Sequence, residues 1–225
     1  MVGDGMKALH KDFWMEIRKS KARFISIFLI VALGVAFFSG IQASSPDMRY
    51  SGDAYYEAAK LMDLKIQGTL GMTQRDVKEV SDIDGVELAE GGYSTDVMSG
   101  EDDARKVLHL ESISSNFNLL TADEGRIPEK SGEIFLDKPF AKNRGYKIGD
   151  TISVSEDGDS ELLKKTTYTV VGIGSSPLYI SFNRGNTTLG SGEVSGFGYI
   201  LPEDFDQEAF TQIYVCLLYT SDAAD

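Results

Sequence analysis

The chain has 225 residues, and its 35 acidic side chains outnumber its 22 lysines and arginines, for a formal net charge of −13. This acidity argues against nucleic-acid partners and against adhesion to anionic lipid through the acidic part of the chain. The chain has a single cysteine, Cys216, and two histidines, His10 and His109. These counts exclude a disulfide framework and argue against a zinc site.

The first predicted element is a basic amphipathic helix at residues 6–22, with the sequence MKALHKDFWMEIRKSKA. At 100° per residue its apolar side chains share one arc and its basic side chains the other. The apolar arc contains Met6, Leu9, His10, Phe13, Trp14 and Ile17, and the basic arc contains Lys7, Lys11, Arg18 and Lys19. Such a helix is typical of the lipid headgroup layer, so we expect residues 1–23 to form a cytoplasmic interfacial helix. A solvated helix packed on another domain is the alternative.

Residues 24–43, FISIFLIVALGVAFFSGIQA, contain no charged side chain. Twenty residues at a rise of about 1.5 Å span roughly 30 Å, the thickness of the hydrocarbon core of a bilayer. We therefore predict a transmembrane helix at residues 24–43. A cleaved signal peptide is the alternative, but Ile41 is large for a cleavage site and the apolar run is longer than a signal core.

Charge divides sharply at this apolar segment. Residues 1–23 carry six basic and three acidic side chains, a net of +3, which leaves 16 basic and 32 acidic side chains, a net of −16, for residues 44–225. The positive-inside rule predicts a cytoplasmic amino terminus and an extracytoplasmic region from residue 44 onward. We expect a cell-membrane protein with a single span in this chain and the lipid bilayer as one partner.

The predicted extracytoplasmic part begins with Ser44-Ser45-Pro46-Asp47, which can either end the membrane helix or cap a new one. A helix is predicted at residues 48–62, leading out from the membrane. Further helices are predicted at 73–81, 139–143 and 202–210, and strands at 64–69, 86–98, 107–113, 133–136, 151–155, 166–173, 199–201 and 212–215. Residues 185–198, rich in Gly, Ser and Thr, predict a mobile loop.

The predicted fold class is α+β, with one N-terminal transmembrane helix followed by an extracytoplasmic mixed α/β domain. Strand, helix and strand between residues 64 and 98 indicate an α/β sandwich unit, as in ferredoxin-like subdomains. His109 is expected on the polar face of its strand.

Motifs for chemistry are weak in this sequence. The segment Gly172-Ile173-Gly174-Ser175-Ser176-Pro177 is neither a Walker loop nor a dinucleotide fingerprint, because it lacks the required residues and ends in proline. The alternating acids at 156–161 lack the glycine and the closing acid of a calcium loop. No Gly-x-Ser-x-Gly elbow occurs. We predict no catalytic residue, no cofactor, no metal and no enzyme activity.

Residues 118–177 carry a resemblance, in the run NLLTADEGRIPEKSGEIFLDKPFAKNRGYKIGDTISV…YTVVGIGSSP. Its features are Gly125-Arg126-x-Pro128, then Glu133, then Gly149-Asp150, then a Val-Val-Gly-Ile strand at 170–173. This ordered set resembles the extracytoplasmic core domain of MacB/FtsX-type ABC transporter permeases. The resemblance covers about residues 8–215 and implies that residues 44–215 form a MacB-like core domain, truncated in this chain.

The resemblance also implies a function. Such permeases continue through further membrane helices, act in a dimeric arrangement and work with a separate cytoplasmic ABC ATPase. We therefore expect the N-terminal fragment of a permease that couples ATPase movements to an extracytoplasmic domain, for export or extraction of a substrate. The residues expected to matter are Leu9, Phe13, Trp14 and Ile17, the basic side of that helix, and the helix at 48–62. The alternative is a membrane-anchored extracellular binding or sensor protein; an anchored enzyme is a more remote one.

The last ten residues, Cys216 to Asp225, have the sequence CLLYTSDAAD. This sequence resembles the in-frame translation of a transposon-type sequencing adapter. We interpret residues 216–225 as an adapter artefact that interrupts the natural chain after Val215. A native C-terminal tail is the alternative.

Overall fold

A computed structural model describes residues 13–15, 18–100, 105–156, 162–181 and 183–218. The chain divides into two compact units, Met1–Tyr55 and Tyr56–Asp225. Of the predicted amphipathic helix, residues 13–15 are helical and the side chains of Phe13 and Trp14 are exposed. Leu9 and Ile17 lie outside the described residues, so the helix at 6–22 stays a prediction.

The apolar segment lies within α1, a helix from Lys21 to Ala58. Its large apolar side chains between Phe24 and Ile41 are exposed, as a helix surrounded by lipid requires. Within the described part of the chain, α1 is the one helix long and apolar enough to cross a membrane. The helices predicted at 24–43 and 48–62 are one helix, because Pro46 lies inside α1 without ending it. The helix ends four residues before the predicted end at residue 62.

A three-stranded sheet, called here the small sheet, packs against helix α2, at Gln74–Ser81. Its strands are β1 (Leu64–Met72), β2 (Val86–Gly92) and β10 (Phe210–Leu217), in the order β1-β10-β2 with antiparallel neighbours. The predicted strand–helix–strand unit is therefore confirmed, and a strand from the far end of the sequence lies between its two strands. Val77 of α2 packs on Met72, Ile213 and Val215.

Helix α2 begins where the sequence predicts, at the Thr73 cap. The Thr73 hydroxyl accepts a hydrogen bond from the Asp76 backbone N–H, and Asp76 accepts one from the Thr73 N–H. This reciprocal pair satisfies two backbone donors that a helix start leaves free. A local sequence signal of this kind fixes the register of α2 on the small sheet.

The larger sheet has seven strands and closes on itself. They are β3 (Ser94–Ser99), β4 (Lys106–Ser112), β5 (Thr121–Gly125), β6 (Glu133–Asp137), β7 (Thr151–Ser155), β8 (Thr167–Ser175) and β9 (Val194–Ile200), in the order β5-β8-β6-β9-β4-β3-β7. Strand β7 pairs with β3 on one side and with β8 on the other, so six strands form a ring, called here the barrel. Closure removes the free edges that an open sheet would expose. Its interior holds the main apolar core, against which α3 (Lys138–Arg144) packs through Phe140 and Ala141.

The chain passes from the small sheet to the barrel at Tyr93. The strand predicted at 86–98 is in fact two strands, β2 and β3, separated at this residue. The Tyr93 N–H donates to the Ser112 hydroxyl, and its ring stacks on Phe205 of the barrel side and contacts Phe210 of the small sheet. Tyr93 thus links the two bodies by packing as well as by the backbone.

The prediction of a mobile loop at 185–198 is wrong for its last five residues. Residues 194–198 belong to β9, which lies between β6 and β4 in the barrel. The glycines there serve close packing: a Cβ atom on Gly196 would lie 2.5 Å from Cβ of Phe140, and one on Gly198 would lie 2.9 Å from Ile134 and Leu110. Glycine composition alone does not separate a loop from a strand with crowded neighbours.

We expect Gly196→Ala to lower the free energy of unfolding by about 1–3 kcal/mol, because the added methyl group must displace the buried Phe140. Chemical denaturation followed by the near-ultraviolet circular dichroism of the tyrosines measures this change. Gly52→Ala is the control, since a Cβ atom on Gly52 meets open space in α1. Equal stability of the two variants would contradict the packing role of Gly196.

Three further elements differ from the sequence prediction. Strand β5, TADEG, was not predicted, and all five of its residues are exposed where it pairs with the edge of β8. The helix predicted at 202–210 is a single 3-10 turn at Pro202–Asp204. Strand β10 continues through Cys216 to Leu217, where it pairs with β2. Residues 219–225 lie outside the described chain, and the adapter origin of 216–225 stays a prediction.

Candidate transmission site

The carboxyl end of α1 closes in a regular capping motif. The Leu61 N–H donates to the Tyr56 carbonyl at 3.0 Å, and the Lys60 N–H donates to the Glu57 carbonyl at 3.1 Å. Lys60 has a φ of 48°, the left-handed conformation that such a cap requires and that usually belongs to glycine. The motif fixes the direction in which the chain leaves the helix.

The residues after the helix are held by the barrel segment around Asn118. The Asn118 N–H donates to the Lys60 carbonyl at 2.9 Å, and the Leu119 N–H donates to the Ala59 carbonyl at 2.8 Å. The Met62 N–H donates to Oδ1 of Asn118 at 3.2 Å. Asn118 is 5% exposed and has a φ of 52°, a conformation that asparagine tolerates better than most residues.

The same residues are held by the small sheet through Asp63. Its N–H donates to the Val215 carbonyl at 2.9 Å, and its carboxylate accepts from the Leu217 N–H at 2.7 Å. Residues 59–63 therefore make five hydrogen bonds, three to the 118–119 segment and two to β10. We call this set of contacts the helix anchor.

An ionic cluster around the buried Glu111 joins the small sheet to the barrel just beyond the helix anchor. Nζ of Lys65, on β1, lies 3.8 Å from Oε1 of Glu111, on β4. Nε2 of His109 lies 3.4 Å from the same oxygen, and Nδ1 of His109 lies 2.5 Å from Oδ1 of Asp96 on β3. The cluster holds two carboxylates, one lysine and one histidine, and Glu111 is completely buried.

The electrostatics of this cluster favour its charged form. Burial by itself lowers the pKa of His109, but the hydrogen bonds with Asp96 and Glu111 outweigh burial and raise that pKa to about 9. Burial raises the pKa of Glu111, but the hydrogen bond and charge of His109, with the charge of Lys65, bring that pKa below its ordinary value. Two positive and two negative groups therefore balance at neutral pH. His109 lies on the polar face of β4, as predicted, and on that face it stands between two carboxylates.

Tyr179 covers the cluster and is itself held in place. Its hydroxyl donates to Oε1 of Glu111 at 3.1 Å, and its ring stacks on Phe197 with centroids 4.5 Å apart. The Arg184 guanidinium donates to the Tyr179 carbonyl at 2.8 Å and to both carboxylate oxygens of Asp137 at 3.0 Å. The loop after β8 is thus fastened over Glu111 by a buried ion pair.

The motif residues at 125–173 converge on β8. The Arg126 guanidinium donates to both carboxylate oxygens of Glu133, at 2.8 and 2.5 Å, and Glu133 also accepts from the backbone N–H groups of Glu129 and Lys130. The hydrogen bonds to Arg126 and to this backbone lower the pKa of Glu133 to about 2. Pro128 lies inside the loop that these bonds close.

The glycines of the motif lie where β5 pairs with β8, with Gly125 opposite Gly172. Gly125 has a φ of 74°, and a Cβ atom there would lie 2.1 Å from the Val171 carbonyl oxygen. A Cβ atom on Gly172 would lie 2.1 Å from the Arg126 carbonyl oxygen. Asp150 accepts from the Lys147 N–H, and the backbone of 149–150 pairs with Val170. The motif shapes this corner of the barrel by close backbone approach.

Carboxylate, histidine and cysteine side chains were compared with the spacing that a metal site requires. Across the ranges that the structure describes, no group of three or more His, Cys, Asp or Glu side chains is placed to hold a metal ion. The alternating acids at 157–161 lie outside those ranges. Local sequence patterns do not identify Asn118, Asp63 or Glu111 as site residues, because the partners that give them their roles are distant in sequence.

Solved structures with a similar fold include two domains of ABC-type transporters. The extracellular domain of the noncanonic ABC-type transporter YknZ from Gram-positive bacteria is 12% identical, with a TM-score of 0.46, over 68% of this chain and 77% of that one. The periplasmic region of MacB from Actinobacillus actinomycetemcomitans is 14% identical, with a TM-score of 0.42, over 68% of this chain and 66% of that one. A search of curated protein sequences gave no significant match.

The family comparison covers most of the chain. The model of the MacB-like periplasmic core domain matches residues 24–223, which include the apolar helix, the small sheet and the barrel. The chain therefore belongs to the family of the MacB-like periplasmic core domain, the extracytoplasmic domain of MacB/FtsX-type ABC transporter permeases.

Proposed function

We propose that this chain is the part of an ABC permease that transmits movement between the membrane and an extracytoplasmic domain. Membership of the family implies a membrane context and a cytoplasmic ATPase partner. The observation that carries the proposal is the helix anchor, whose five hydrogen bonds fasten residues 59–63 to both the barrel and the small sheet. A displacement of the end of α1 would therefore pull on the barrel and on the small sheet at the same time.

The ionic cluster supports the same proposal. Lys65 follows the helix anchor directly, and its ion pair with Glu111 continues the connection into β4 of the barrel. Glu111 is completely buried, so a displacement that separates it from Lys65 and His109 would leave its charge uncompensated. The small sheet and the barrel would therefore move together when α1 moves, as a transmitting body must.

The remaining parts of the proposal concern topology and assembly. The charge asymmetry about residues 24–43 supports a cytoplasmic amino terminus and an extracytoplasmic position for residues 44 onward. The basic amphipathic residues 6–22 would lie along the inner membrane surface and brace the first span against the ATPase. The permease would act as a dimer, and its substrate would be exported or extracted from the membrane.

Interrupting α1 between the membrane and the helix anchor tests the proposal. Three glycines inserted after Gly52 should uncouple the domain, because glycine is the least favourable ordinary residue in a helix. Spin labels at Lys142→Cys, an exposed position on α3, report the distance between two copies of the full-length permease assembled with its ATPase, in a background free of other cysteines. Binding of a non-hydrolysable ATP analogue should shift this distance in the parent and leave it unchanged in the insertion variant.

The control insertion places three alanines at the same position, which keeps the helix continuous. This variant should retain the shift in distance, although the insertion changes the phase of the helix. An equal shift in the glycine and alanine variants would show that α1 does not transmit the movement. The sensor-protein alternative would be favoured if the parent itself showed no response to nucleotide.

A further inference from the structure

The small sheet has one edge without the usual protection. Strand β1 pairs with β10 on one side, and its other side has no partner strand among the described residues. The opposite edge strand, β2, carries Glu87 and Glu90, and charges of this kind keep natural edge strands from pairing with further chains. Strand β1 has one charged side chain, Lys65, which is paired with Glu111. The free edge of β1 is therefore open to a further strand.

The sheet face beside this edge is apolar and only partly covered. Leu64 lies opposite Val215 and Ile66 lies opposite Ile213, so the four side chains share one face. Helix α2 covers this face at β10, where Val77 packs on Ile213 and Val215. Leu64 and Ile66 stay 51% and 38% exposed. The face has room for a second helix beside α2, over β1.

The barrel occupies the other face of the small sheet. On that face Lys65 lies opposite Tyr214, which in turn lies opposite Glu90. Lys65 is paired with Glu111 of the barrel, and Glu90 accepts a hydrogen bond from Asn116 in the segment between β4 and β5. A helix that follows β10 in the chain can therefore pack only on the face that carries α2.

Strand direction and the handedness of crossovers then decide which edge the chain reaches. Strand β10 is paired on both sides, so a strand that follows it cannot pair with it as a hairpin. The parallel strands β1 and β2 are joined by α2, which crosses β10, and such crossovers are right-handed in about 98% of cases. A right-handed crossover from β10 on the same face runs the opposite way, because β10 is antiparallel to β1. It therefore passes over β1 and reaches the free edge.

We propose that the free edge of β1 and the face around Leu64 and Ile66 bind the segment that follows β10 in the full-length permease, a helix and then a strand. The helix packs over Leu64 and Ile66, and the strand pairs antiparallel with β1, which completes a β-α-β-β-α-β unit. The unit β1–α2–β2 runs from residue 64 to residue 92, so the second unit should span about 30 residues from the start of β10. Its last strand ends beside Leu64, at the helix anchor. This site does not depend on the transmission role, because it concerns the folding of the small sheet.

Hydrogen exchange of backbone amides, followed by mass spectrometry, tests this site. Peptides covering residues 64–70 are compared between this chain in detergent micelles and the full-length permease from the source locus. Alternate amides of β1 point to its free edge, and in the full-length permease they should exchange at least about tenfold more slowly. The control is β2, at residues 86–92, whose outer edge stays free and whose exchange should be equal in the two proteins.

A matched pair of substitutions tests the apolar contact. In the full-length permease Leu64→Asn removes a side chain that the added helix buries, and should make the exchange of residues 64–70 roughly tenfold faster again. Leu88→Asn is the control, because it makes the same change at a leucine of β2 that is 39% exposed, and it should leave the exchange of residues 64–70 slow. If Leu64→Asn does not fold, the comparison of the two parent proteins decides alone.

Three results would overturn the proposal. The first is equal exchange of residues 64–70 in this chain and in the full-length permease. The second is protection of these residues in this chain alone that rises with its concentration, which would assign the edge to a second copy. The third is a folded Leu64→Asn permease in which the protection of β1 is as strong as in the parent.

Discussion

We expect Glu111→Gln to lower the free energy of unfolding by roughly 3 kcal/mol. Removing one partner of a buried ion pair costs roughly 3–5 kcal/mol, and the expected loss lies at the lower end of that range. Glu111 is completely buried and compensates both His109 and Lys65. The expected loss is at the lower end because His109 keeps its pair with Asp96, and the Lys65 side chain, 28% exposed, can turn toward water.

The measurement is chemical denaturation of the full chain in micelles, followed by the near-ultraviolet circular dichroism of the tyrosines. Glu124→Gln is the control, because Glu124 is exposed on β5 and its replacement should change the unfolding free energy by less than about 0.5 kcal/mol. A double-mutant cycle with Lys65→Met isolates the interaction energy of the Lys65–Glu111 ion pair, which joins the small sheet to the barrel. In the Glu111→Gln background Lys65→Met should cost less than in the parent, and strictly additive costs would show that Lys65 and Glu111 are not coupled.

Local patterns in the sequence predict the local features of this fold. The uncharged run at 24–43 predicts a membrane-spanning helix because insertion depends on the summed apolarity of one segment. Thr73 and Asp76 predict the start of α2 because a capping box involves residues only three positions apart. Each of these features can be read without knowing what lies beside it in the fold.

The helix anchor and the ionic cluster depend on contacts that local patterns do not contain. Met62 and Asn118 are 56 positions apart, and no periodicity relates them. The alternating strand around His109 predicts a polar face, but it does not say that β1 brings Lys65 to that face. The available signal is the spacing of His109 and Glu111, which places both on one face of the alternating strand, where a carboxylate that becomes buried requires a cationic partner.

Gly196 and Gly198 were predicted to lie in a loop but lie in β9, and the reason is again a tertiary contact that the sequence does not show. Gly196 and Gly198 resemble loop residues by composition, but Phe140 of α3 and Ile134 of β6 approach them too closely for a side chain. A glycine required by a crowded neighbour looks the same in the sequence as a glycine required by a turn. Only the tertiary contact separates the two cases, which is why the predicted strand 199–201 covers two of the seven residues of β9, while the predicted strand 166–173 covers seven of the nine residues of β8.

The stability of the domain should fall as the pH rises from about 6.5 through 9. His109 has a folded-state pKa of about 9 against an ordinary value of 6.5, so the folded protein holds this proton more tightly than the unfolded chain does. Its contribution is fully present below pH 6.5 and is lost as the pH passes through 9. The difference between the two pKa values corresponds to about 3 kcal/mol. The pKa values of Asp96 and Glu111 are shifted downward, so their contribution is present above about pH 4.5 and falls in acid.

Unfolding free energies measured between pH 5 and pH 9.5 test this dependence. The parent should be most stable near pH 5–6.5 and should lose about 3 kcal/mol by pH 9.5. His109→Gln is less stable at pH 6 and should show a much flatter profile above it, since glutamine has no proton to lose in this range. The described tyrosines with resolved pKa shifts are shifted upward, so they remain neutral through the window and do not imitate the effect. If His109→Gln lost as much unfolding free energy at alkaline pH as the parent, other groups would cause the pH dependence. His109 would then not contribute to the ionic cluster that joins the small sheet to the barrel.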